Sequence, residues 1–228
     1  MYGEQVAGAV RHMMYRVFGW MTIALCITAG ISYYVASRAL FLETLLAHPW
    51  YFWGVLLAQL VVAVVFSAML PRLSYGSALI LFLMYSVLAG LTLSVIFYAY
   101  YMDSIIRAFL IAAGMFGSMA LYGYVTQSDL TRMGYYLYMA LWGIILSVLI
   151  NIFFRSSHVD FLISCITVVV FSGLTAYDVF VVRQYAVTAN PSDKDAYGKM
   201  GLYGAFRLYL DFVNIFLALL RITGKKRD

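Results

Sequence analysis

Few residues in this 228-residue chain can do chemistry where they stand, and they gather in two short segments. Asp178 lies in Gly173-Leu174-Thr175-Ala176-Tyr177-Asp178, and Asp211 in Leu208-Tyr209-Leu210-Asp211-Phe212-Val213-Asn214. Arg207 sits one helical turn before Asp211, and Arg72 follows Pro71 at the mouth of a long apolar run. Both acids are embedded in sequence apolar enough for lipid, where an ionisable side chain is costly and points to function. Two carboxylates brought together cannot both stay charged cheaply, so they share a proton or draw in a cation. A guanidinium supplies that charge through paired hydrogen bonds. A hard cation such as Ca²⁺ supplies it through its preference for carboxylate oxygen. This chemistry is a proton-sensitive cation site. A plainer arrangement is equally open. Arg207 and Asp211, four apart on one helix face, can simply neutralise each other.

The elements that hold these residues follow from composition. Hydrophobic residues make up 64% of the chain and charged residues 11%, with a mean hydropathy of +0.89. Soluble domains run near half apolar and a quarter charged, and a surplus this large has nowhere to go in water. A bilayer core takes about 20 helical residues per crossing. Apolar runs of that kind fall at residues 17–36, 51–70, 76–100, 104–125, 134–154, 159–182 and 203–222. They do not alternate as barrel strands would, and lipid cannot satisfy an open backbone, so each is a helix. The reading is an all-α membrane protein, a seven-helix transmembrane bundle occupying residues 1–228 as one integral membrane domain. Small residues in the fourth run (Ala113, Gly114, Gly117, Ser118, Ala120 and Gly123) predict close helix packing and a central place for that helix. The stretch from Arg183 to Lys199, with Asn190-Pro191-Ser192-Asp193, reads as a solvated loop.

Orientation follows from Lys and Arg. With the N-terminus inside, Arg11, Arg16, Arg72, Arg132, Arg183, Lys194 and Lys199 face inward, and Arg38, Arg107 and Arg155 outward. The basic tail (Arg221, Lys225, Lys226, Arg227) breaks that pattern if the seventh segment crosses. It keeps the pattern if the segment re-enters, leaving both termini cytoplasmic, and both readings stand. In this frame Asp178 lies about four residues, roughly 6 Å, from the inner face, and Asp211 about eight residues, roughly 12 Å, deep. Arg72 enters from the same face and is expected to pair with Asp178.

Other chemistries find little footing. His12, His48 and His158 are far apart near span ends and lack ligand spacing. Cys26 and Cys165 fall inside apolar runs and read as small buried hydrophobes. There is no phosphate loop, no nucleophile elbow and no basic face for nucleic acid. Intramembrane aspartyl proteolysis wants a Gly-aspartate context that Ala176-Tyr177-Asp178 does not offer. No enzymatic activity and no resident cofactor are expected.

Phe171-Ser172-Gly173-Leu174-Thr175-Ala176-Tyr177-Asp178 and Leu208-Tyr209-Leu210-Asp211-Phe212-Val213-Asn214-Ile215-Phe216 resemble the hallmark segments of the Bax inhibitor-1 family, also called the transmembrane Bax inhibitor motif family. Tyr85-Ser86-Val87-Leu88-Ala89-Gly90-Leu91-Thr92-Leu93-Ser94 is similar to a further family pattern. The likeness covers almost the whole chain, and its short charged ends resemble bacterial members. The resemblance implies a compact bundle with the C-terminal helix central and wrapped by the other six. It implies a pH-sensitive Ca²⁺-permeable leak of the bacterial cytoplasmic (inner) membrane, with Asp178 and Asp211 as sensor pair and Ca²⁺ ligands. It also implies an arginine latch on one aspartate, and counting back from Gly90 places Arg72 there. Arg207 departs from the family pattern, where a small or polar residue is usual. With Asn214 it is placed to tune the pair, and its charge would compete with Ca²⁺. Expected partners are the bilayer, Ca²⁺ and protons, with no nucleic acid. The alternative is a non-transporting modulator that binds another membrane protein, such as a membrane-bound AAA protease.

Overall fold

The computed structural model describes residues 2–38, 48–188 and 193–227. Among them every regular element is helical: α1 Tyr2–Ala36, α2 Pro49–Met69, a 3₁₀ turn Leu70–Arg72, α3 Tyr75–Leu93, α4 Val95–Ala99, α5 Met102–Val125, α6 Thr131–Phe154, α7 Ser157–Thr188 and α8 Lys194–Thr223. The helix ends carry ordinary capping chemistry. Pro49 opens α2, where a missing N–H costs nothing. The Ser74 hydroxyl accepts from Ser77 N (3.2 Å) at the start of α3. Asp129 accepts from Thr131 N (2.9 Å) before α6. Arg183 donates to the carbonyls of Tyr124 (2.8 Å) and Thr126 (2.7 Å), covering the C-terminal end of α5 with positive charge.

Six of these helical stretches are long and apolar enough to cross a membrane: Ala7–Ala36, Trp50–Arg72, Tyr75–Ala99, Met102–Val125, Thr131–Phe154 and Ser157–Thr188. They match the first six expected spans, and the chain is a multi-pass integral membrane protein. The stretch from Arg183 to Lys199 is largely helical instead of a loop. Residues 183–188 continue α7 and 194–199 open α8, while 189–192 lie outside the described residues. The reason is local: Asp193 caps α8 by accepting from Ala196 N (3.0 Å). With this extension α8 carries Lys194, Asp195, Lys199, Arg207, Asp211 and Arg221, and it is not among the six apolar stretches. No residue of α8 from Gly201 to Leu220 is nevertheless exposed.

The residues group into two compact units. The first holds α1 to α4, residues 185–206 and Arg227. There α3 packs on α1 and α2. Thr28 Oγ1 donates to Ser86 O (3.0 Å) and Ser32 Oγ to Gly90 O (2.8 Å), so the polar groups of α1 are satisfied without water. Gln59 on α2 donates to the Tyr85 hydroxyl (2.9 Å) and accepts from Thr92 (3.1 Å). Phe66, Tyr85 and Phe82 close around Phe206, with ring centroids 4.6, 5.0 and 5.7 Å from it.

The start of α8 and the segment beyond its end are tied within this first unit. At its start Asp195 accepts from Tyr75 N (3.0 Å), Lys199 reaches Leu73 O (3.0 Å), and Tyr197 donates to Ala9 O (3.0 Å) while stacking on His12. Beyond its far end Arg227 N donates to Ala99 O (3.0 Å) and its guanidinium to Phe97 O (3.2 Å). Thus α8 begins beside the first residue of α3, and Arg227, beyond its end, lies beside the last residues of α4. These ties favour a crossing over the re-entrant reading. Thirty residues rise about 45 Å, more than the roughly 30 Å of hydrocarbon. Counted along seven crossings, Lys and Arg divide seven to seven between the faces, with Arg207 between them. The charge bias that favoured an N-inside orientation is therefore lost.

The second unit holds residues 101–184 and 207–226, comprising α5, α6, most of α7 and the rest of α8. The small residues of α5 behave differently from expectation. Ala113, Gly114, Gly117 and Ser118 are exposed, and a Cβ added at Gly114 or Gly117 would meet nothing within 4 Å. The packing face runs Ala108, Ala112, Phe116 and Ala120 at four-residue spacing and ends at Gly123, so of the six small residues only Ala120 and Gly123 lie on it. Gly123 makes the closest approach, where an added Cβ would lie 2.2 Å from Ala176 O on α7. Phe109 and Phe116 pack edge-on against Phe212 of α8 (5.3 and 5.6 Å).

Candidate functional site

Asp178 and Asp211 both lie in the second unit and are 3% and 4% exposed. Asp178 reaches its place because α7 is fixed two residues earlier by the Ala176–Gly123 approach. Arg207 and Asp211 share one face of α8, being four residues apart. The Arg207 guanidinium hydrogen-bonds and ion-pairs with Asp178 Oδ1 across the helices, and it also donates to the Tyr138 hydroxyl. Its carbon lies 5.7 Å from the Tyr138 ring centre and 5.9 Å from that of Tyr177, within cation–π reach of both. The two rings meet edge-on at 6.1 Å. Tyr177 fits there because residue 134 has no side chain; a Cβ at Gly134 would lie 2.3 Å from its ring.

Asp211 has a different environment. Among the described residues it holds no ion pair, and its Oδ2, buried, has no hydrogen-bond partner. Asp178 and Arg207 both lie within electrostatic reach of it. Two carboxylates thus lie within electrostatic reach of one guanidinium, leaving one formal negative charge for a proton or a metal cation to balance. A second buried oxygen, Ser172 Oγ on α7, is likewise without a partner. Orphaned acceptors in a membrane interior are costly and suit a site that takes up a ligand.

Of the residues singled out from sequence, the second unit brings together Asp178, Asp211 and Arg207. Arg207 pairs with Asp178 on α7 and not with Asp211 in its own helix. The cation on Asp178 is therefore Arg207, where Arg72 was expected. Arg72 stands exposed in the 3₁₀ turn of the first unit and, among the described residues, makes no ion pair. Pro71 is the second residue of that turn, which follows the end of α2 at Met69. Asn214 turns its amide back to Leu210 O (2.8 Å) in its own helix. Tyr138 and Tyr177 were not foreseen. The signal for them was Gly134 with Tyr138, four apart on α6, a gap and a phenol facing the same way.

Among the described residues no three His, Cys, Asp or Glu side chains cluster as a metal site. Ca²⁺ takes six to eight oxygens.

The family model for the inhibitor of apoptosis-promoting Bax1 matches residues 10–228. The chain is 42% identical over 223 residues to the inner membrane protein YbhL of Escherichia coli, a match covering 98% of the chain and 95% of the relative. A protein of Borreliella burgdorferi is 42% identical over 213 residues, covering 93% and 91%. One from Deinococcus radiodurans is 38% identical over 227 residues, covering 99% and 95%. With hallmark segments, helices and matched length in agreement, the chain belongs to the Bax inhibitor-1 family.

Proposed function

We propose that this protein is a non-enzymatic, pH-sensitive, Ca²⁺-permeable leak channel of the bacterial inner membrane, with Asp178 and Asp211 as one sensing unit. The observation that carries this reading is two almost wholly buried carboxylates, Asp178 ion-paired with a single guanidinium and Asp211 with an oxygen that has no hydrogen-bond partner. Buried acids in membrane helices mark ion or proton pathways. The absence of exposed residues from Gly201 to Leu220 supports a central α8 with the site on it, shielded from lipid by the other helices. Metal binding requires deprotonated oxygen, so apparent Ca²⁺ affinity weakens as pH falls.

The test is Ca²⁺ flux into liposomes containing the purified full-length chain, at several pH values. Wild type should leak in a pH-dependent way. Asp178→Asn and Asp211→Asn should each remove most of the pH response, and the double variant should add little, because the two acids act together. Flux indifferent to pH, or independent additive effects, would overturn the reading. No flux from any form would leave the alternative, a modulator acting through another membrane protein such as a membrane-bound AAA protease.

A further inference from the structure

We propose that Arg207 is a resident counter-cation that occupies the cation seat at Asp178 and so sets the site against divalent metal. The inference rests on the ion-site reading above but not on transport. Its ground is geometric. A guanidinium on α8 meets Asp178 Oδ1, is held by the Tyr138 hydroxyl, and lies 5.7 and 5.9 Å from the ring centres of Tyr138 and Tyr177. Its side chain is 17% exposed and that of Asp178 4%. A free cation approaching Asp178 must displace this group or bind beside it against like-charge repulsion.

Two properties distinguish Arg207 from a proton or a metal in the same seat. A guanidinium does not lose its charge in a protein, so this neutralisation does not vary with pH. Being tethered to α8, it competes at a fixed and high effective concentration. The tyrosines add a second discrimination. A planar, weakly hydrated cation gains from flat aromatic faces, whereas a strongly hydrated divalent ion needs oxygen in every direction. The seat at Asp178 is therefore shaped for a guanidinium. The oxygen left without a partner is on Asp211.

The test measures Ca²⁺ binding directly, by equilibrium dialysis of the purified full-length protein with radioactive Ca²⁺. Arg207→Gln keeps the side chain long and removes the charge. It should bind Ca²⁺ at least about tenfold tighter than wild type, the effect of lifting about 1.4 kcal/mol of competition. Arg207→Lys keeps the charge and should stay within a few-fold of wild type. Free guanidinium ion at low millimolar concentration should return Arg207→Gln to weak binding, with potassium chloride at equal ionic strength having little effect. Tyr138→Phe keeps Arg207 and loosens its hold, and should give a smaller gain in affinity; it also serves where Arg207→Gln does not fold. No gain in either variant, or guanidinium acting no better than potassium, would overturn the proposal. Tighter binding in Arg207→Gln with no flux from any form supports Arg207 as the counter-cation and refutes the leak. A pH-dependent wild-type flux with unchanged binding in Arg207→Gln refutes the counter-cation and keeps the leak.

Discussion

Replacing Gly123 by Ala isolates the contact that fixes α7 beside the ion site. The new Cβ would lie 2.2 Å from Ala176 O and 2.9 Å from the Ala176 Cα and carbonyl carbon. Comfortable packing would need α5 and α7 to separate by about 1 Å, in an interior as dense as a crystal. The obstacle is helix backbone, which cannot rotate aside as a side chain can. Overpacking of this kind costs about 1–3 kcal/mol, and a rigid neighbour places it toward the upper end. Alanine also favours a helix over glycine by about 1 kcal/mol, which partly offsets the clash. Gly114→Ala separates the two effects. It lies on the same helix with nothing within 4 Å of the added Cβ, so only the propensity gain applies. The two variants should therefore differ by the steric cost alone, with Gly123→Ala the less stable. Reversible unfolding in mixed detergent micelles, followed by tryptophan fluorescence, reads that difference. Equal stability of the two variants would refute the close approach of α5 to α7 and, with it, the account of how Asp178 is positioned.

Two further outcomes follow from the ends of α8. A reporter fused after Arg227 and one fused before α1 should report opposite sides of the membrane, because Arg227 pairs with Ala99 while Tyr197 pairs with Ala9; reporters on the same side would restore a re-entrant seventh segment. At the start of α8 the Lys199 side chain, and then the Tyr75 N–H, hold the exposed Asp195 carboxyl below its ordinary pKa. The sign follows from linkage: the stabilisation is complete above the ordinary carboxylate value and is lost as pH falls through the lowered one. Hydrogen exchange at the Tyr75 amide should accelerate in that acid range, and Asp195→Asn should weaken protection at neutral pH; protection unaffected by Asp195 would remove it as the tie between α8 and α3.

Most of the fold was legible because lipid leaves the chain little choice: apolar runs of spanning length must be helices. The first six match their expected positions for that reason. The seventh was harder. Its N-terminal turns carry Lys194, Asp195 and Lys199, so hydropathy placed its start nine residues late, and charge counting could not distinguish a crossing from a loop. Only the contact of Arg227 with Ala99 does so, and no local pattern announces a contact between residues so distant in sequence. The same limit applies to the site. Asp178, Asp211 and Arg207 stood out as charges in apolar sequence. Which acid takes the arginine depends on how α7 and α8 are rotated, and spacing within one helix spoke only for Asp211. Small residues on α5 misled in a related way: they permit close packing, but which side meets a neighbour is decided by that neighbour.

The weak hydropathy of α8 also constrains how the protein is made. A helix with Arg207 and Asp211 near its middle partitions poorly into hydrocarbon alone, each charge costing about 2.5–3.5 kcal/mol at the centre of an isolated segment. Its insertion depends on help from helices synthesised before it. Asp178 on α7 is waiting for Arg207 by then, and the ion pair forms only when α8 arrives. The step that forms this ion pair is thus the step that completes the bundle. A chain whose earlier helices are misassembled has no place for α8 and leaves the lipid with charges it cannot hold, which makes the Arg207–Asp178 pair a built-in check on assembly.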